Sequence, residues 1–347
     1  MLKNDKFPRA TRLAALAAAA LPLAGCKLTV MNPHGDIAMQ QADLIVISTL
    51  LMLLIIVPVM ALIVFFAWKY RQSNQAADYA PDWDHSTRLE LVIWGAPLLI
   101  IIALGAITWI STHKLDPYRP LDRIDAQRPV PAGTKPLVVN VVALDWKWLF
   151  IYPEQGIATI NELAAPVDRP IEFRITASTV MNAFYIPDLA GMVYAMPGMQ
   201  TKLNAVINHR GAYPGISANY SGAGFSGMRF TFLGLTEGEF DDWVETNRGG
   251  EALTRAAYLK LEQPSEREPV RRYGKVEEGL YEAVLNRCAD GEQMCMHEMM
   301  AIDAAGGMGK GNVRGIRQSQ ATGRTVVTAA LCTPDNPLGL PQPLAAQ

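Results

Sequence analysis

Two long uncharged stretches dominate the hydrophobic pattern of the chain. Residues Leu44 to Trp68 and Leu91 to Ile110 contain no charged side chain. Each is long enough to cross a bilayer as a helix, which takes about 20 residues. Pro58 and Pro97 lie inside them, and membrane helices tolerate proline where neighbouring helices satisfy the freed carbonyls. The pattern predicts a transmembrane hairpin, with helices over 44–68 and 90–112 and a loop over 69–89.

A shorter apolar stretch lies at the N-terminus. Residues Leu13 to Leu23 follow several basic side chains and are too short to span a bilayer. They lead into small residues before Cys26, which resembles the lipobox of bacterial lipoproteins. We therefore predict a signal peptide over 1–25, a lipid on Cys26 and an outer N-terminal segment over 26–43. The alternative is an uncleaved N-terminal anchor with an incidental cysteine.

The basic residues beside the hairpin predict its orientation. Lys69, Arg71 and Arg88 flank the loop between the two helices, and such an excess of positive charge is typical of the cytoplasmic side. A lipid on Cys26 puts the N-terminus on the outer face. Two crossings then return the chain to that face, so the remainder is expected to be periplasmic.

After the hairpin the hydrophobic period changes to two. Prolines between Asp116 and Pro136 exclude a helix there and predict a linker over 113–136. Apolar and polar residues then alternate strictly in Ile171 to Thr176, and similar short segments recur between Gly and Pro residues. This pattern predicts an antiparallel β-sandwich or barrel, which we place over 137–235.

The period changes again at Thr236. Thr236 and Glu239 have the spacing of a capping box, and the apolar residues that follow lie on one helical face. Further helices are predicted over Glu251 to Glu262 and Val276 to Arg287, which gives a helical region over 236–287. Periodicity is then lost, so a flexible tail is predicted over 288–347.

Composition narrows the function classes. Half of the residues are hydrophobic, 18% are charged and the net charge is −2. A nucleic-acid-binding protein needs a basic field, and a disordered chain pairs low hydrophobicity with high net charge, so both classes are excluded. Mean hydropathy is +0.10, as expected of a chain with membrane-spanning helices.

The C-terminal cysteines and methionines leave two questions open. With Cys26 lipidated, Cys288, Cys295 and Cys332 allow three disulfide pairings. The short loop favours Cys288 with Cys295, because closing it costs little entropy. The segment Met294 to Met300 is rich in thioethers, which suit Cu(I). The alternative is a tail or helix that presents soft apolar side chains to a partner.

Four segments of the predicted sandwich form a recognisable pattern. They are an aromatic run at Asp145 to Glu154, and the segments Met181 to Pro187, Ser217 to Gly222 and Phe225 to Met228. Together they resemble subunit II of the haem–copper terminal oxidases. The resemblance covers the chain from Cys26 to about residue 285. It implies a membrane-anchored α+β protein, with a two-helix transmembrane hairpin, a periplasmic cupredoxin-like Greek-key β-sandwich and C-terminal helices.

In the cytochrome c oxidases of this family the sandwich holds a dinuclear copper centre. Two thiolates bridge the coppers, and two imidazoles, a thioether and a backbone carbonyl complete the ligand set. Here serine occupies both thiolate positions, and asparagine occupies the carbonyl position and the first imidazole position. Phenylalanine occupies the second imidazole position, and the thioether alone is retained. The corresponding positions are Asn182, Ser217, Asn219, Ser221, Phe225 and Met228. Because these side chains offer no bridging thiolate and no imidazole, we expect no copper at this site.

The missing ligands and the lipoprotein leader resemble the quinol oxidase branch, the bo-type ubiquinol oxidases. The resemblance implies a subunit of a proton-pumping complex in the bacterial inner membrane, with no catalytic residue, metal or other cofactor of its own. Subunit I would carry the haems, the copper and the ubiquinol site, beside further small membrane subunits. The alternatives are a degenerate cytochrome c oxidase subunit II and a free-standing cupredoxin-like lipoprotein.

Three further residues receive roles from the same resemblance. Glu90 opens the second span at its cytoplasmic end, where a family carboxylate lies at the mouth of a proton channel. The alternative is that Glu90 only begins the helix, where the helix macrodipole favours a carboxylate. Trp146 and Trp148 are predicted to pack between the sandwich and the core subunit.

Overall fold

The computed structural model describes residues 28–76, 82–291 and 294–304, together with short strands at 316–318 and 325–327. Cys26, Cys332 and the predicted signal peptide therefore lie outside the described residues. The two short strands, β13 (Ile316–Gln318) and β14 (Thr325–Val327), pair with each other in antiparallel orientation.

Two long helices form the predicted hairpin. Helix α1 spans Asp36–Lys69 and helix α2 spans Thr87–Lys114. Both are long and apolar enough to cross a membrane, and the most apolar part of each is exposed in the isolated chain. With 34 residues, α1 is about 51 Å long at 1.5 Å per residue, which exceeds the roughly 30 Å hydrocarbon core. Its first turns therefore precede the predicted span and reach the sandwich.

A sandwich of two sheets follows the linker. The larger sheet has the order β11-β12-β3-β2-β1-β5-β8, and the smaller has the order β4-β10-β9-β6-β7. The strands are β1 (Leu137–Leu144), β2 (Lys147–Tyr152), β3 (Ile157–Ile160), β4 (Glu162–Pro166), β5 (Ile171–Ala177), β6 (Asn182–Tyr185), β7 (Val193–Ala195), β8 (Thr201–Ala205), β9 (Gly211–Ser217), β10 (Arg229–Leu235), β11 (Glu251–Leu253) and β12 (Arg271–Val276). Strand β1 pairs with β5, β4 with β10 and β11 with β12 in parallel, so the sheets are mixed and not purely antiparallel as predicted.

The core has two layers, which explains the sequence of β1. Between the sheets, Val141, Phe150 and Phe173 belong to one buried cluster. On the outer face of the larger sheet, Val142 and Leu149 belong to a second cluster that C-terminal residues cover. A strand buried on both faces is mostly apolar, as β1 is apart from Asn140, whereas β5 alternates where one face is less covered.

The C-terminal region contains strands as well as helices. Helix α3 (Glu237–Arg248) begins with the predicted capping box, in which Thr236 and Glu239 each accept a hydrogen bond from the other's backbone N–H. The prediction of a helix from Glu251 is wrong, because 251–253 form β11 and α4 begins only at Arg255 (Arg255–Glu262). The prediction from Val276 is wrong at its start too, because β12 ends there and α5 spans Leu280–Leu285.

The beginning of the predicted flexible tail is folded. Cys288 and Cys295 form a disulfide, the pairing that the short loop favoured. Helix α6 (Met296–Ala304) follows it directly. Both cysteines are buried with Ala283 of α5, so the prediction of a flexible tail is wrong up to residue 304, apart from residues 292–293, which lie outside the described part.

The outer end of α1 is attached to the sandwich by backbone contacts. The backbone N–H groups of His34 and Gly35 donate to the carbonyl of Asp188 at 3.0 and 2.8 Å. The His34 imidazole lies 2.7 Å from the Asp188 carboxylate. Gly35 leaves no space for a side chain, since a Cβ there would lie 2.7 Å from the carbonyl oxygens of Leu189 and Val206.

An ion pair reinforces this attachment. The buried Asp36 carboxylate accepts two hydrogen bonds from the Arg123 guanidinium, both at 2.9 Å, and one from the Gln40 amide at 2.8 Å. Arg123 belongs to the linker, so the pair joins α1 to the segment that follows α2. We call the Asp36–Arg123 pair the clasp.

Candidate functional site

The predicted copper-ligand positions do come together at one end of the sandwich. Asn182 begins β6 and Ser217 ends β9, and these two strands are paired. Both residues are buried. The Ser217 hydroxyl lies 3.1 Å from Oδ1 of Asn182 and donates a hydrogen bond to it. Strand pairing therefore brings together two positions that are far apart in the sequence.

Hydrogen bonds connect the residues at these predicted positions. The Asn219 carbonyl, which would be a ligand in the copper pattern, lies 3.4 Å from the Ser217 hydroxyl and is its second possible acceptor. The Asn219 amide donates to the carbonyl of Met181 at 3.1 Å. These contacts connect the loop after β9 to the start of β6. We call residues 217–228 the vestigial loop.

The rest of the vestigial loop is closed by ring packing and tight turns. Phe225 is half-buried and packs edge-on against Tyr220, with centroids 5.6 Å apart. The Met228 side chain is buried in the core between the sheets. The Ser221 hydroxyl is also buried and has no hydrogen-bond partner among the described residues.

The donor set of this loop does not fit a thiolate-bridged copper pair. It offers hydroxyl and amide oxygens, a phenyl ring and one thioether, whereas soft thiolates and imidazoles select copper. Across the described residues, no group of three or more His, Cys, Asp or Glu side chains could hold a metal ion. The arrangement can fix the shape of the loop, but it cannot carry electrons through bridged coppers.

The two tryptophans of the aromatic run have different places. Trp148 is fully buried, and its ring lies 5.4 Å from that of Phe184 and 5.7 Å from that of Phe230. The prediction that Trp148 faces the core subunit is therefore wrong, because it belongs to the core of the sandwich. Trp146 is only half-buried, so a contact with a partner stays a prediction for this residue.

Trp146 covers the vestigial loop. Its φ of +66° turns the chain out of the strand, and its indole N–H donates to the carbonyl of Ser221 at 3.0 Å. A Cβ on Gly224 would lie 2.4 Å from the indole, so only glycine allows this close approach. The Trp146 ring thus packs over the loop and is hydrogen-bonded to it.

A buried lysine, which the sequence analysis missed, supports the same end. Lys147 is 1% exposed, and its ammonium donates to the Gln263 carbonyl at 2.7 Å and the Ser265 hydroxyl at 2.6 Å. Burial lowers the pKa of Lys147. The contacts hold the 263–268 segment beside the vestigial loop. The sequence signal that could have identified this residue is its position between two tryptophans.

Glu90 lies at the other candidate position, in the first turn of α2. Its carboxylate is 2.7 Å from Nδ1 of His85, and both side chains are substantially exposed. Nε2 of the same imidazole is 3.2 Å from the Thr87 hydroxyl. Glu90 therefore has a titratable neighbour that the sequence analysis did not assign to it.

Comparisons with known proteins cover most of the chain. The family model described as cytochrome c oxidase subunit II, periplasmic domain, matches residues 153–232, and the COX aromatic rich motif matches residues 248–292. Cytochrome bo(3) ubiquinol oxidase subunit 2 of Pseudomonas putida is 50% identical over 268 residues, 77% of this chain and 82% of that protein. Ubiquinol oxidase subunit 2 of Acetobacter aceti is 48% identical over 294 residues, 84% of this chain and 93% of that protein. These matches confirm the predicted cupredoxin-like sandwich.

A solved structure was also found. It is the periplasmic domain of subunit II of cytochrome oxidase from Bradyrhizobium japonicum, with 23% identity and a TM-score of 0.31. The alignment covers 32% of this chain and 91% of that one.

Proposed function

Because this chain belongs to the subunit 2 family of the bo-type ubiquinol oxidases, we propose that it is the non-catalytic subunit II of a proton-pumping quinol oxidase. The observation that carries this proposal is the vestigial loop, in which Ser217, Asn182 and Asn219 make hydrogen bonds at the positions of copper ligands. A quinol delivers its electrons within the membrane, so the complex needs no copper relay in this domain.

The catalytic centres are then supplied by a partner. Subunit I carries the haems, the copper of the oxygen site and the ubiquinol site, and smaller membrane subunits complete the complex. In the isolated chain, the apolar windows of α1 and α2 are exposed. Both contain a proline, which supports packing against further helices. The exposed face of Trp146 is available for a contact with the same partner.

The proposed location is the bacterial inner membrane, with the sandwich in the periplasm. Lys69, Arg71 and Arg88 lie at the ends of the two helices that face the connecting loop, which supports a cytoplasmic position for that loop. Lipidation at Cys26 adds a second anchor on the outer side. Two spanning helices bind a membrane far more strongly than acyl chains do, so the lipid is not required for attachment.

We further propose that Glu90 receives protons at the cytoplasmic surface for a channel of subunit I. Ionisable residues within membrane-spanning segments are costly and usually functional, and Glu90 lies in the first turn of α2. The His85 imidazole lies 2.7 Å from the carboxylate. Because an imidazole can both accept and donate a proton, His85 can pass protons to Glu90.

Purification of the chain in mild detergent tests the proposal. A quinol oxidase subunit should copurify with a multi-span partner, with b- and o-type haem spectra and with ubiquinol oxidation. A degenerate cytochrome c oxidase subunit II would copurify with haems but with oxidation of cytochrome c. A free-standing lipoprotein would copurify with no haem, and either result would overturn the assignment.

A further inference from the structure

Two methionines lie at the ends of one tight turn between β7 and β8. The N–H of Met199 donates to the carbonyl of Met196 at 3.3 Å. Pro197 occupies the second position of the turn, and Gly198 occupies the third with a φ of +72°, as a type II turn requires. Met199 is 55% exposed, so its thioether is accessible and is not part of the core.

Helix α6 begins against this turn. The Met296 sulfur lies so close to Gly198 that a Cβ on the glycine would be 2.6 Å from it. Residues three and four positions apart share a helix face, so Met299 and Met300 follow Met296 on the same side. These two residues are 42% and 62% exposed. This contact places the start of α6 against the turn that carries Met199, although the two segments are far apart in the sequence.

The position of α6 is fixed by covalent and hydrogen-bonded contacts. The Cys288–Cys295 disulfide closes the loop before the helix. The N–H of Met296 donates to the Asn286 carbonyl at 2.9 Å, and the N–H of Met299 donates to the Cys295 carbonyl at 3.1 Å. The start of α6 is therefore held in place beside the turn that carries Met199, which lowers the cost of ordering a ligand set there.

We propose that Met199, Met296 and Met300 form a Cu(I) site on the surface of the sandwich domain, separate from the vestigial loop. Thioethers are soft, neutral ligands that select Cu(I) over hard divalent ions. They lose no proton on binding, so the site does not depend on a deprotonation step. Leucine would serve equally well if these positions only provided apolar packing, whereas a Cu(I) site needs the sulfur.

A Cu(I) transfer experiment on the intact complex tests this site. Cys332→Ser serves as the background, which removes the one remaining cysteine of the C-terminal segment as a competing sulfur ligand. Cu(I) is supplied anaerobically as its bicinchoninate complex with ascorbate. We expect the background complex to take up one Cu(I) more than a Met199→Leu/Met296→Leu/Met300→Leu variant. Each single substitution should weaken uptake at least tenfold, and X-ray absorption should detect sulfur ligands.

The controls use the same exchange of Met for Leu, which conserves side-chain volume and preserves folding. Met192→Leu removes an exposed thioether at the other end of β7, and Met228→Leu removes the thioether of the vestigial loop. Neither should alter uptake. Equal uptake by the background and the triple variant would overturn the proposal. So would loss of uptake in Met228→Leu, because the copper would then be bound by the vestigial loop.

Discussion

Breaking the clasp should destabilise the attachment of the sandwich to the membrane hairpin. The Asp36 side chain is 2% exposed and that of Arg123 is 28% exposed. Arg123→Ala would leave a buried carboxylate with the Gln40 amide still donating to it. Removing one partner of a buried ion pair costs about 3–5 kcal/mol. Because part of the guanidinium is in contact with solvent, we expect about 2–3 kcal/mol for this pair.

A double-mutant cycle separates the pair from its surroundings. Asp36→Ala and Arg123→Ala should each destabilise the chain, and the double variant should be more stable than the sum of the two effects predicts, by about 1–2 kcal/mol. Arg119→Ala is the matched control on the same linker, since the Arg119–Asp122 pair is 44% and 65% exposed. Exposed pairs contribute less than about 1 kcal/mol.

Thermal unfolding of the full chain in detergent, followed by tryptophan fluorescence, measures these differences. Trp148 is buried in the sandwich and reports on its unfolding. For a domain of this size, 1 kcal/mol corresponds to roughly 2–4 °C in Tm, so Arg123→Ala should lower the Tm by about 5–10 °C. A shift no larger than that of Arg119→Ala, or strictly additive effects in the cycle, would refute the reasoning.

Three further predictions concern the anchor, the proton entry and the lost copper. Cys26→Ser should leave a membrane-bound, active complex whose subunit II runs larger on a gel, and release into the soluble fraction would contradict the two spans. Glu90→Ala should slow turnover several-fold at unchanged haem content, with Glu90→Asp milder, and wild-type turnover and pumping would leave Glu90 a helix-start residue only. The unaltered chain should show no thiolate–copper absorption, whereas a variant with five substitutions should bind two coppers in a purple centre. If that variant folds but binds no copper, the alignment of the loop is wrong. The substitutions are Asn182→His, Ser217→Cys, Asn219→Glu, Ser221→Cys and Phe225→His.

The parts of the fold that depend on local pattern were predictable. The hairpin follows from uncharged length, and the capping box at Thr236 follows from spacing alone. Strands β11 and β12 were missed because Glu251–Leu253 and Arg271–Val276 are short and largely exposed. They become strands only because the edge of the larger sheet is next to them, which is a tertiary effect.

The two tryptophans show a different limit. Trp146 and Trp148 are two positions apart, so a continuous strand would point both to the same face. The positive φ of Trp146 breaks that relation, and nothing in a tryptophan indicates a positive φ.

The clasp was missed for a third reason. Asp36 and Arg123 are 87 positions apart, and charge alone does not identify which partner a buried carboxylate meets.

The vestigial loop can keep its shape without a metal because the core does not depend on it. A neutral hydrogen bond contributes about 0.5–1.5 kcal/mol net, so the contacts of Ser217, Asn219 and Trp146 supply only a few kcal/mol together. Most of the stability of the sandwich comes from its two buried clusters, which lie between the sheets and on the outer face of the larger sheet. Met228 belongs to the first cluster and fixes the loop's far end, while the pairing of β9 with β6 fixes its start. Both ends are therefore held by the fold itself, so we expect the loop to keep its place when the side chains between them are exchanged for copper ligands. For the same reason, restoring the ligands should restore the metal.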